Sequence, residues 1–132
     1  MLLSPTRTYA PLLNVLFGNY FEAIHGLIHC SGGGQTKCMK YLPGDFRVVK
    51  DNLFEPPVIF KLIQQASKAD DREMYQVFNM GTRLEVYTNE KDADKIISVS
   101  HSFGVDAKII GRVEESDTKQ LVLHTPSGTI EY

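Results

Sequence analysis

A short apolar run breaks into a serine and three consecutive glycines between residues 24 and 34. The run itself, IHGLIHC, is partly β-branched and is closed by glycines, which favours a buried strand over a helix. Glycine has no Cβ, so Gly32, Gly33 and Gly34 permit positive φ angles and the close approach of another group. The next segment, QTKCMKYL, predicts a short helix that stops before a Pro-Gly pair. The chain must therefore turn sharply where the strand ends.

Helix-like and strand-like patterns alternate along the chain. Leu12, Leu13, Leu16 and Phe17 are spaced as one face of a helix, and Pro11 fits its first turn. The later segments predict, in order, strand DFRVVKD, helix EPPVIFKLIQQAS with prolines in its opening turn, helix DDREMYQVF, strand TRLEVYT, helix EKDADKIISVSHSF ending at Gly104, and strands AKIIGRVEE, KQLVLHT and GTIEY. This interleaving predicts an α+β fold, a mixed and mostly antiparallel sheet covered by helices.

The composition is that of a single globular domain. The chain has 132 residues, is 42% hydrophobic and carries a formal charge of −2 without a long run of either sign. We therefore expect no nucleic-acid partner, and no apolar stretch approaches the roughly 20 residues that span a membrane. Cys30 and Cys38 are too few for a disulfide framework, and no signal-peptide pattern precedes them. We expect a reduced, cytoplasmic protein.

The serine and glycines suggest an anion site. Several backbone N–H groups without neighbouring Cβ atoms suit a phosphate, while Lys37 can add a positive charge and Ser31 a hydroxyl. The Gly-Lys-Ser/Thr ending of a P-loop is absent, and so is the dinucleotide-binding fingerprint. The alternative is that the three glycines only make a tight turn.

Two histidines in the same segment allow other readings. His25 and His29 are four residues apart and share one face of a strand, so a zinc site with Cys30 or Cys38 is conceivable. No CxxC pair or acidic third ligand accompanies them, which favours no metal. His25 then reads as a half-buried strand residue, whereas His29, beside the glycines, could protonate a ligand.

Four segments together resemble a known family. They are LLSPTRTY at 2–9, IHGLIHCSGGG at 24–34, the PP-containing helix at 56–63 and EMYQVFNMG at 73–81. In this order they resemble the C-terminal half of AIR synthetase, the phosphoribosylformylglycinamidine cyclo-ligase, and the match continues to IIGRVEE at 109–115. The resemblance implies one AIR synthetase-like C-terminal domain over residues 1–132, with a partly ferredoxin-like topology.

The same resemblance implies an activity in purine biosynthesis. Members of the family use ATP to activate the formyl oxygen of formylglycinamidine ribonucleotide, and the amidine nitrogen then closes the imidazole ring and expels phosphate. An N-terminal domain, which we expect to be absent from this chain, holds ATP and Mg²⁺ and forms the homodimer. We therefore expect the chain alone to bind neither cofactor and to be inactive.

The resemblance also implies the site residues. His29 would be catalytic, orienting the formamide or transferring a proton. Arg7 would contact a phosphate through its planar fork, unless it is only a surface arginine. The residues expected around the substrate are Thr6, Arg7, Ser31, Gly32, Gly33, Gly34, Asn79 and Gly81.

This chain departs from the family's usual pattern at two places, and two other functions stay open. The departures are Gln35–Lys37 after the glycines and Thr82–Leu84 after FNMG. One alternative function is a related enzyme, such as formylglycinamidine synthetase, thiamine-monophosphate kinase or selenophosphate synthetase. The other is a free-standing module that binds a phosphorylated metabolite.

Overall fold

A computed structural model describes residues 4–132, so Leu2 and Leu3 of the LLSPTRTY segment lie outside the described residues. The helices are α1 (Ala10–Tyr20), α2 (Val58–Ser67), α3 (Asp71–Val77) and α4 (Glu90–Ser102), with 3₁₀ helices at Phe21–Ala23 and Gly34–Lys40. The strands are β1 (Ile24–His29), β2 (Phe46–Lys50), β3 (Leu84–Thr88), β4 (Gly111–Glu115), β5 (Gln120–Thr125) and β6 (Gly128–Glu131). The predicted α+β class is confirmed.

The strands form two sheets, although the pattern predicted one. β1 pairs with β3 in a two-stranded sheet, and the other described strands form a four-stranded sheet in the order β4-β2-β5-β6. The described residues divide into two compact units. The first contains the described residues up to Leu27 and Val86–Ile109, and the second contains Ile28–Glu85 and Ile110–Tyr132. Periodicity identifies strands but carries no information about pairing, which explains the difference.

The core of the first unit lies between α1 and α4. Leu12 and Leu16 of α1 are buried against Ile96 of α4, as the helical spacing predicts. The helical spacing predicts Phe17 on the same apolar face, but this residue is 42% exposed and meets Phe21 edge-on at 6.0 Å between ring centroids. No helix among residues 4–132 is long and apolar enough to cross a membrane.

The sheet of the second unit is centred on β2. This strand runs antiparallel to β4 and parallel to β5, while β5 and β6 form an antiparallel hairpin. Val48 and Val49 of β2 and Leu121 and Leu123 of β5 are buried. Apolar burial at these positions holds the sheet to the rest of the unit.

Two helix starts show how local chemistry sets the boundaries. α2 begins at Val58 with Pro57 as its N-cap residue, so the prolines precede the helix and do not lie in its opening turn as predicted. A proline cannot donate a backbone hydrogen bond, and an N-cap position does not need one. α3 begins after Asp70, whose carboxylate accepts a 2.8 Å hydrogen bond from the Glu73 amide. Met74 and Tyr75 of α3 are buried.

A methyl group at Gly111 is expected to destabilise the second unit. A Cβ there would lie 2.8 Å from the Lys50 Cα and 2.9 Å from the Val49 carbonyl carbon on the paired strand. Backbone atoms cannot yield cheaply, so Gly111→Ala should lower the free energy of unfolding in urea by about 2 kcal/mol. Gly18→Ala is the control, since its Cβ meets open space within α1 and alanine favours a helix by up to ~1 kcal/mol. Equal free energies of unfolding for Gly111→Ala and Gly18→Ala would contradict the close packing of Gly111 against β2.

Candidate functional site

The glycine loop, residues 31–34, joins β1 to the 3₁₀ helix. Gly33 and Gly34 have φ angles of 93° and 49°, in the left-handed region that disfavours other residues. A Cβ on Gly34 would lie 2.7 Å from both the Tyr75 carbonyl oxygen and the Phe78 amide nitrogen, at the end of α3. Gly34 is therefore required by packing, because only a bare backbone can lie so close to that helix.

Gly32 stands apart from the other two glycines. It is exposed, its φ is not positive, and a Cβ there would meet nothing within 4 Å. The Gly34 amide already donates to the Ser31 carbonyl oxygen at 3.1 Å. In the described part of the chain, by contrast, the amides of Gly32 and Gly33 have no hydrogen-bond acceptor. These two donors are available to an anion.

Lys37 supplies positive charge beside this loop. Its Nζ donates to the His29 carbonyl oxygen and to the Ser31 hydroxyl, each at 2.9 Å. An ammonium has three donors, and these contacts use two of them. The side chain of His29 is exposed at the end of β1. A ligand at Gly32 would therefore meet backbone amides, a hydroxyl and an ammonium within one short segment.

A second loop, residues 79–82 and called here the Asn79 loop, follows α3. The Asn79 Oδ1 accepts a 2.9 Å hydrogen bond from the Gly81 amide, and the Thr82 amide donates to the Asn79 carbonyl oxygen at 3.0 Å. Gly81 has a φ of 102°, so the chain turns sharply there. This turn lies beyond α3, which ends at Val77.

One buried side chain connects the two loops. The Gln35 Nε2 donates to the Asn79 carbonyl oxygen at 2.6 Å and to the Thr82 carbonyl oxygen at 3.3 Å. Gln35 and Thr82, which both depart from the family's usual pattern, are thus in contact. The structure brings His29, Ser31 and the three glycines into the same unit as Asn79 and Gly81.

Three charged or polar residues beneath the loops were not predicted as site residues. Lys50 and Gln35 are each 1% exposed, and Glu85 is 5% exposed. The Lys50 Nζ contacts Gln35 and forms an ion pair with Glu85. The sequence held one weak signal that Lys50 is buried, which is its position directly after the two valines of β2. Its partners lie on other elements, so spacing could not reveal them.

Cys30 belongs to the same buried cluster. Its Sγ donates to the Glu85 Oε1 at 3.4 Å. Burial, followed by the charge of Glu85, raises the pKa of the Cys30 thiol to about 12. Among residues 4–132 no three histidine, cysteine or acidic side chains form a metal site. His25, expected to be half-buried, is exposed because its strand face is open there.

Thr6 and Arg7 lie in the first unit and are exposed. The Arg7 Nη1 donates to the Gly104 carbonyl oxygen at 3.4 Å, just after α4. A guanidinium has five donors, so this single long contact leaves most of them available.

The sequence of the chain can be compared with those of known proteins. The family described as "AIR synthase related protein, C-terminal domain" matches residues 1–124. The chain belongs to this family. Phosphoribosylformylglycinamidine cyclo-ligase of Methanocaldococcus jannaschii is 40% identical over 116 residues, which cover 87% of this chain and 33% of that protein. The corresponding protein of Methanobrevibacter smithii is 38% identical over 128 residues, covering 97% and 36%. The predicted resemblance is confirmed.

The AIR synthase domain, as we call the chain below, spans about a third of the length of these curated relatives. A solved structure also shares its fold. The crystal structure of E. coli HypE, a hydrogenase maturation protein, superposes with a TM-score of 0.66 over 96% of this chain and 39% of HypE. At 19% identity this likeness concerns the fold alone.

Gly34→Ala should destabilise the AIR synthase domain. The methyl group would collide with the end of α3 at a residue whose φ is already positive. We expect a loss of about 3 kcal/mol in the free energy of unfolding, measured by urea denaturation. Gly32→Ala is the matched control and should stay within about 0.5 kcal/mol of the parent, because its Cβ meets open space. If both substitutions are equally mild, Gly34 is not a packing requirement.

Proposed function

We propose that the AIR synthase domain is the C-terminal part of an ATP-dependent cyclo-ligase that converts formylglycinamidine ribonucleotide to aminoimidazole ribonucleotide in purine biosynthesis. The names of the relatives support the reaction. The observation that carries the proposal is the glycine loop itself. It presents the amides of Gly32 and Gly33, together with Lys37, beside the Asn79 loop.

The glycine loop would bind the phosphate of the substrate. The amides of Gly32 and Gly33 would donate to it, and the third donor of Lys37 would add charge assistance. Ser31, whose hydroxyl oxygen accepts from Lys37, can donate its own proton to the same anion. Gly34 contributes by keeping the loop against α3 and not by a direct contact, because its amide is already used.

His29 and the Asn79 loop would act at the reacting end of the substrate. An imidazole can serve as a general acid or base, and we assign the proton transfer during ring closure to the exposed side chain of His29. The Asn79 Nδ2 can donate to a substrate carbonyl while its Oδ1 is held by the Gly81 amide. Thr6 and Arg7 stay substrate contacts that the family resemblance implies.

ATP and Mg²⁺ would serve the full-length enzyme, where ATP supplies the phosphoryl group that makes the formyl oxygen a leaving group. We assign neither to residues of this chain. The rest of the polypeptide, which in the relatives is about two thirds of the length, would be the main partner of the AIR synthase domain, and the whole enzyme would be a cytoplasmic homodimer.

Amide NMR of the 132-residue chain tests substrate binding. Formylglycinamidine ribonucleotide should shift the Gly32 and Gly33 amides and saturate, while inorganic phosphate, thiamine monophosphate and ATP shift them more weakly. Gly32→Ala should weaken this binding about tenfold, because the methyl group holds the phosphate away from the amides. Gly44→Ala, also at an open position, is the control and should bind as the parent does.

Other outcomes of that titration are equally informative. Equal shifts with every phosphorylated ligand would favour the alternative function, a module that binds phosphorylated metabolites in general. Tighter binding of thiamine monophosphate would favour a related enzyme with another substrate. No shift at these amides with any ligand would remove the glycine loop from the substrate site of this chain.

The isolated chain should have no cyclo-ligase turnover. Phosphoryl transfer needs a positioned ATP and metal ion, and we assign neither to these residues. Product formation is measured with formylglycinamidine ribonucleotide, ATP and Mg²⁺, using a full-length relative such as the M. jannaschii enzyme as the positive control. Turnover by the chain alone, above a no-protein blank, would refute the assignment of the ATP site to the rest of the enzyme.

A further inference from the structure

Lys50 is a fully buried ammonium with all three donors engaged. Its Nζ donates to the Gln35 carbonyl oxygen at 3.0 Å and to the Gln35 Oε1 at 2.9 Å, and its third contact is the Glu85 carboxylate. Lys50 is 1% exposed. A buried charge is tolerated only with such complete pairing. The position of Gln35 is therefore specified at two points, one on its backbone and one on its side chain.

Gln35 transmits this constraint to both loops. It follows Gly34 directly in sequence, so fixing its carbonyl group fixes the end of the glycine loop. The Nε2 at the other end of the side chain donates to Asn79 and Thr82 of the Asn79 loop. Every hydrogen-bonding group of this amide is thus used. One side chain sets the distance between the two loops.

Stability alone gives little reason for this arrangement. Replacing a buried ion pair by apolar side chains of similar volume is often neutral or stabilising. Val48 and Val49, which precede Lys50 on the same strand, are buried without any such pairing. What a charged pair adds is direction, because its hydrogen bonds hold Gln35 in one orientation whereas apolar packing would allow several.

We propose that Lys50, with Glu85 as its counter-ion, is a positioning residue that holds the glycine loop and the Asn79 loop at a fixed separation. This rests on the proposed function in one respect, that the two loops bind the same ligand. Lys50 itself touches no substrate. Its effect on binding passes through Gln35.

The test compares the variants K50M, E85Q and K50M/E85Q of the 132-residue chain. K50M leaves the Glu85 carboxylate buried without its cation and should lower the melting temperature by roughly 10 °C or more. K50M/E85Q removes both charges and should recover to within about 5 °C of the parent. If the ion pair serves stability alone, loop order and ligand binding in K50M/E85Q should recover together with the melting temperature.

The positioning role predicts that they do not recover. In K50M/E85Q without ligand, the hydrogen-bonded loop amides of Gly34, Gly81 and Thr82 should exchange with solvent about tenfold faster than in the parent. Amides of β5 and β6 should be unchanged. Affinity for formylglycinamidine ribonucleotide should fall by a similar factor. K61M/E55Q is the matched control, because the same substitutions there remove an exposed pair at 3.4 Å, and it should alter none of these readings.

Parent-like exchange at both loops in K50M/E85Q would overturn the proposal. If that variant does not fold, Q35N decides, because its shorter amide cannot span both loops while its backbone carbonyl still meets Lys50. Fast exchange of the Asn79 loop in Q35N supports the proposal, and parent-like exchange overturns it. Failure of the parent to bind the ribonucleotide would refute only the proposed function. The positioning role would still be tested, since the exchange measurements need no ligand.

Discussion

The glycine loop can lie against the end of α3 only because Gly34 carries no side chain. The Tyr75 carbonyl oxygen and the Phe78 amide nitrogen occupy the space that a Cβ would need. This close approach places the next residue, Gln35, beneath both loops, where its amide meets the two carbonyl groups of the Asn79 loop. Packing at one glycine thus decides where the donors of the neighbouring residues point. The three glycines have separate tasks: Gly34 packs, Gly33 turns the chain, and Gly32 stays open to solvent.

The elements of the fold were largely readable from the sequence, since the period of apolar residues and the turn residues act locally. All predicted helices and strands occur, although the segment after the glycines is a 3₁₀ helix and α2 starts one residue after its prolines. The pairing of the strands was not readable. β2 lies parallel to β5 and antiparallel to β4, and nothing in the spacing of its apolar residues specifies either neighbour.

The residues of the candidate site were likewise only partly predictable from the sequence. Motifs and the family resemblance predicted residues that lie on or beside the two loops, and their contacts to a substrate stay a prediction. They did not identify Lys50 and Glu85, which are 35 residues apart in sequence and meet only after the strands pair. A charged residue in a strand pattern reads as solvent-facing, and only tertiary structure shows that its charge is compensated. Membership of the family described as AIR synthase related supports the proposed reaction, whereas the buried network is seen only in the contacts of this chain's own side chains.

The position of β2 in its sheet has a consequence for how the chain folds. Both neighbours of β2 come late, at residues 111–115 and 120–123. Until they arrive, β2 is an unpaired strand whose valines and lysine face water. Such distant pairings cost loop entropy before they return any contact, so they form slowly. During synthesis the sheet of the second unit therefore waits for residues 111–123, and the unpaired edges of β2 in that interval are the part most open to pairing with another molecule.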